Sequence, residues 1–165
     1  MVNIKAYRLV EQGVFLFVMS CEGSICPVCG EALSVRSRRA RMVIDSSGAK
    51  VVYQIRRLYC GRCRRLHHEL PDCMAPYKRH CAETIEKAIN GEPDAPIDDR
   101  ASRRFKQWWS VVLPYFLNVL KSMAEKYKLL FNPAPAFREV VRAVVNSGSW
   151  VFAHAICTRS GSMSG

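Results

Sequence analysis

The sequence predicts an α+β fold in which a small β-ribbon is followed by an α-helical, helix-turn-helix-like domain. Three observations lead there. Two CxxC pairs, CPVC at 26–29 and CGRC at 60–63, bracket a stretch rich in arginine and β-branched residues. Beyond residue 80 the apolar residues switch to helical spacing. The chain has 165 residues, 49% hydrophobic and 24% charged, which is globular composition with room for one core or two small modules.

Taken in order, residues 1–20 predict one or two strands, with VFLFVM at 14–19 the most apolar run. Residues 33–45 and 49–59 predict the two arms of a hairpin, joined by SSG, where Gly48 can take a positive φ. In the second arm Val51, Tyr53, Ile55 and Tyr59 share one face, with Arg57 the exception, and Lys50, Gln54 and Arg56 share the other. HHELPDCMAPYKRH at 67–80 reads as a proline-broken loop. A short helix follows from 81 or 82 to 90 and ends at Gly91.

After GEPDAP, Asp98 or Asp99 caps a helix that turns Ala101, Phe105, Trp108 or Trp109 and Val112 inward. Arg100, Arg103, Arg104 and Gln107 fall largely on the opposite face. Pro114 interrupts this helix or opens the next. There Phe116, Val119, Leu120, Met123, Tyr127 and Leu130 form an apolar stripe read as core. A last helix carries Phe137, Val140, Val141, Val144 and Val145. This divides the chain into a ribbon module at 1–70, a helical domain at 71–157 and a flexible tail at 158–165.

Cys26, Cys29, Cys60 and Cys63 point to a structural Zn2+. A CxxC turn presents two thiolates, and two such turns at the base of one hairpin supply a tetrahedral set. Gly30 and Gly61 give the turns backbone freedom. A hairpin this polar has little apolar area of its own, so metal binding supplies folding free energy. A closed four-thiolate site leaves no open position for catalysis. Cys73, His80 and Cys81, with His67 or His68, are spaced too irregularly to be read as a second site. Cys21 is expected to stay out of the first.

Net charge is +11, and residues 31–66 hold ten Lys or Arg against two acids, a net +8. Arg36, Arg38, Arg39, Arg41, Arg56, Arg57, Arg62, Arg64 and Arg65 nearly exclude lysine there. Guanidinium forks suit phosphate oxygens and the guanine edge, so this segment is read as a nucleic-acid surface rather than a solubilising face. Arg103, Arg104 and Gln107 on the helix after Gly91 would form a second reader, lying in a groove of duplex DNA.

The run CPVCGEAL…SRRARMVIDSSG…QIRRLYCGRCRRLHHELPDCMAPYKRH, with DDRASRRFKQWW after it, resembles an uncharacterised bacterial family associated with mobile elements. That family is similar to the zinc-ribbon and helix-turn-helix region at the N-terminus of insertion-sequence transposases. The resemblance covers residues 24–110 and is weaker beyond. It implies DNA binding, with the four cysteines as zinc ligands, and no catalysis, because little chain remains to build a nuclease-like domain.

The expectation is therefore a non-enzymatic DNA-binding protein with a structural zinc, a transposase-like accessory or regulator. Its partners would be double-stranded DNA and a transposase or other mobile-element protein. Rival readings are an RNA-binding ribbon, a small metal-dependent nuclease using His67, His68, Glu69 and Asp72, and a purely structural adaptor. No apolar run approaches membrane-spanning length, and VFLFVM is too short for the core of a signal peptide. A cytoplasmic protein without membrane contact is expected.

Overall fold

The computed structural model describes residues 1–150, so the tail expected at 158–165 and residues 151–157 of the helical segment lie outside it. Six strands lead: β1 (Val2–Ile4), β2 (Tyr7–Gln12), β3 (Phe15–Ser20), β4 (Ser34–Ile44), β5 (Lys50–Cys60) and β6 (Arg65–Pro71). Three helices follow, α1 (Ala82–Asn90), α2 (Asp99–Tyr127) and α3 (Phe137–Asn146). The strands form one curled mixed sheet, a half-barrel, in the order β1-β6-β5-β3-β2.

β5 is its axis. β4 runs antiparallel along one edge, from Ser34↔Tyr59 to Ile44↔Lys50. The other edge is shared: Val52–Gln54 pair in parallel with β3, and Arg57–Cys60 pair antiparallel with β6. β1 then adds in parallel to the far half of β6.

The expected fold, a small ribbon followed by a separate helix-turn-helix, is therefore wrong. The hairpin itself lies where expected, but beyond Ile55 the buried face passes to Leu58 and Cys60 in place of Tyr59. What makes it part of a larger sheet is pairing with segments distant in sequence. β3 and β1 give it an apolar face, where Ile4, Val18, Val43, Tyr53, Ile55 and Leu70 are buried with Met74 and Cys81. Residues 67–71, expected to be loop, belong to β6.

The helix-turn-helix fails on its connection and on its second helix. α1 begins and ends as expected, with Gly91 left-handed at its C-cap. The link to α2 is then 91–98, longer than the three or four residues such a turn allows. α2 runs 29 residues without a break at Pro114. Pro114 is exposed, so the Ser110 carbonyl that loses its helical partner can be hydrated. Asp98 is the N-cap and accepts from the Ala101 amide at 2.7 Å. Of the apolar stripe only Phe116 is fully buried; Val119, Leu120 and Met123 are half-buried, and Tyr127 and Leu130 are exposed. No helix of the described residues is long and apolar enough to cross a membrane.

A second apolar cluster joins the three helices through Ile85, Val112, Phe116, Phe137, Val140, Val144 and Trp150, with Trp108 and Trp109 packed against it. Several contacts tie the helical layer to the strands, among them Thr84 to the Asp45 carbonyl, Arg142 to Glu22, and two at the end of α3. The Asn146 side chain exchanges two hydrogen bonds with the Asn3 backbone, at 2.8 and 2.9 Å, and so completes the free edge of β1. Gly148 (φ +78°) brings the turn after α3 against the first CxxC loop, where an added Cβ would lie 3.0 Å from the Pro27 carbonyl oxygen. Gly148→Ala should therefore cost about 2 kcal/mol, from left-handed strain and displaced backbone. The fall in Tm should be roughly 4–8 °C. An unchanged melting curve would show that this contact is not maintained.

Candidate metal centre

β4 and β5 are held in register by a β-bulge between Val35 and Ser37 and by the Asp45 turn at the far end. Their near ends therefore carry the two CxxC loops side by side. Ligand atoms of Cys26, Cys29, Cys60 and Cys63 all lie within 4.8 Å of one another, and among the described residues no other His, Cys, Asp or Glu group does so. Cys26 and Cys63 sulfurs are 4.0 Å apart, and Cys29 and Cys60 sulfurs 3.5 Å apart. A tetrahedral shell with metal–sulfur bonds of about 2.3 Å puts its sulfurs about 3.8 Å apart. The four thiols fit such an ion.

The two loops are local copies. The residue after each second cysteine is left-handed, Gly30 at φ 75° and Arg64 at φ 55°. That turn directs amides at sulfur: Cys63 N–H donates to Cys60 Sγ at 3.3 Å. Gly61, expected to supply freedom, has no positive φ. Crowding splits the thiols. Hydrogen bonds from Cys63 and from the Glu31 backbone lower the Cys29 pKa to about 7. The same contact to Cys29, with burial, raises the Cys63 pKa to about 12.

β6 supplies the wall beside the site. His67 is buried with Nε2 3.6 Å from Cys26 Sγ, and burial lowers its pKa, which keeps the ring neutral. On the same face Glu69, fully buried, accepts two hydrogen bonds of 2.6 Å from the Arg56 guanidinium and one of 2.7 Å from Ser24 Oγ. The Glu69 carboxylate thus joins β5 through an ion pair and the segment leading into the first CxxC through a hydrogen bond. Asp72 instead accepts from Tyr7 Oη. His67, His68, Glu69 and Asp72 do not converge. Cys73 and Cys81 pack with the sheet core, His80 meets the edge of Phe105, and Cys21 is exposed.

The sequence profile of a family described as Domain of unknown function (DUF6431) matches residues 26–108, half of the chain. The chain belongs to the DUF6431 family. No curated protein and no solved structure matches it. The matched span begins at the first of the four clustered cysteines and ends at Trp108 in α2, so it takes in all four cysteines and the basic residues beside them.

Within the DUF6431 span the arginines separate by role. Arg38 donates to the Val18 and Gln54 carbonyls and stacks over Phe17, and Arg41 donates to the Ala75 and Lys78 carbonyls. With Arg56 these are sheet fasteners. Arg57 is half-buried, its Nε without a hydrogen-bond partner among the described residues. Arg36, Arg39, Arg64, Arg65, Arg103, Arg104 and Gln107 are exposed.

Two basic concavities result. One, of about 580 Å3, includes Arg39, Arg41, His68 and Arg79. The other, of about 460 Å3, includes Arg79, His80, Arg104 and Phe105. Both are lined by residues 77–79, which form the ridge between them. Sequence reasoning missed Arg79 because its neighbourhood was read as plain loop, although YKRH is a basic run.

Proposed function

We propose that the protein binds duplex DNA through a basic surface on a sheet held rigid by one structural zinc ion. We further propose that it serves a mobile element as a transposase-like accessory or regulator. Zinc is the ion that four thiolates in paired tight turns suit best, and with four cysteines the shell is closed. The mobile-element setting rests on the resemblance of residues 24–110.

One observation carries the DNA reading. Arg39 on the hairpin and Arg104 on α2, far apart in sequence, flank the same ridge, with Arg79 common to both sides. They make one basic track in place of two separate readers. Contacts along it would be to phosphate, which position a duplex without reading its sequence.

Titration of the zinc-loaded protein with duplex DNA at several salt concentrations tests this. With about five phosphates contacted, the log–log slope should be roughly −4 to −5. Replacing Arg79 and Arg104 by Ala should weaken all duplexes about equally and flatten the slope by about 2. A flat salt response would defeat the proposal. Structured RNA of equal length competing better than duplex DNA would move the reading to RNA.

A further inference from the structure

The larger concavity has a chemistry that a phosphate track alone does not require. Arg39, Arg41, His68 and Arg79 stand on its polar side, and no carboxylate is among its lining residues. Arg41 is fixed there by its bonds of 2.9 and 3.0 Å to the Ala75 and Lys78 carbonyls. Arg57 stands opposite His68 in the β5–β6 ladder, and its buried Nε has no hydrogen-bond partner among the described residues. After burial, the charges that most lower the His68 pKa are Arg39 and Arg57, both positive. Such a convergence of cations without an acid is a site for an anion.

Apolar side chains, Met42, Ile55 and Leu66, share the rest of the wall with Tyr77 and Lys78. A volume of about 580 Å3 exceeds what a bare oxyanion needs and lies in the range of small-molecule sites.

We propose that this cavity binds a nucleotide unit, its phosphate against Arg39, Arg41 and Arg79 and its nucleoside against the apolar wall. The unit could come as a free nucleoside monophosphate or as the 5′-phosphorylated end of a strand. The inference rests on the cavity and not on duplex binding. A protein that takes up the mononucleotide but ignores duplex DNA keeps the first and loses the second.

The test is calorimetric titration of the zinc-loaded protein with adenosine 5′-monophosphate, inorganic phosphate and adenosine at matched ionic strength. Saturable 1:1 binding of the monophosphate, tighter than either part alone, is expected. Arg39→Ala should weaken it about tenfold or more, the loss of a charge-assisted contact. Lys121→Ala, at an exposed position of α2 outside the cavity wall, should not change it. Arg39 is exposed, so its variant should fold, and circular dichroism checks that.

A single-stranded oligonucleotide with a 5′-phosphate that displaces the monophosphate, when its 5′-hydroxyl twin does not, identifies a strand end. Failure of both to displace it identifies the free nucleotide. Three results would overturn the proposal: no saturable binding, equal binding of inorganic phosphate or adenosine, or an Arg39→Ala variant that binds as the parent does.

Discussion

Stripping the metal with a chelator, or replacing Cys60 by Ser, is expected to unfold the sheet. Apparent binding free energies at four-thiolate sites are on the order of 10 kcal/mol, comparable with the whole stability of a domain this size. Cys60 is fully buried and ends β5, the strand on which β3, β4 and β6 all pair. Its loss therefore acts at the axis of the sheet. Elemental analysis should find one zinc per chain, and the circular dichroism of the strands should collapse on chelation. A metal-free preparation, or a Cys60→Ser protein that melts like the parent, would refute this account of the centre.

Glu69→Ala should be the most damaging change outside the cysteines, at about 3–5 kcal/mol. The Glu69 side chain has no exposure and that of Arg56 only 18%. Removing the carboxylate strands a guanidinium in a largely dry place and also releases Ser24 Oγ. The charge left behind accounts for most of the cost. Replacing both members, as Arg56→Met with Glu69→Leu, should therefore recover much of it. Denaturant midpoints of the two single variants and the double variant measure the coupling. A double variant as unstable as the sum of the singles would show that the pair acts through packing alone.

The metal centre was legible in the sequence because a CxxC turn is local: four residues and a tight bend suffice to place two sulfurs. The hairpin, α1, a cap at Asp98 or Asp99 and α3 were legible for the same reason, each being fixed by periodicity and a terminator within a dozen residues. β6 was not. His67 and Glu69 are buried polar residues whose partners, Cys26 and Arg56, are distant in sequence, and without those partners they look like loop. The roles of the arginines were hidden similarly. Composition located the charge, but only the fold shows that Arg38, Arg41 and Arg56 are tied down while Arg39, Arg79 and Arg104 border one ridge. The single-sheet architecture depended on β1–β6 and β3–β5, parallel pairings that no neighbouring residues announce.

The Asn3–Asn146 exchange also bears on how the chain assembles. β4 and β5 can meet early, across one short turn, and the metal can lock their base. β1 cannot. Its ladder partner lies on β6 and its other edge is completed by a side chain 143 positions away, so the loops that seat it are among the longest the chain closes. Closing them costs entropy that early contacts cannot repay, and pairings of high sequence separation form slowly. β1 is thus among the last strands to be secured, and until residue 146 is in place its outer edge stays open.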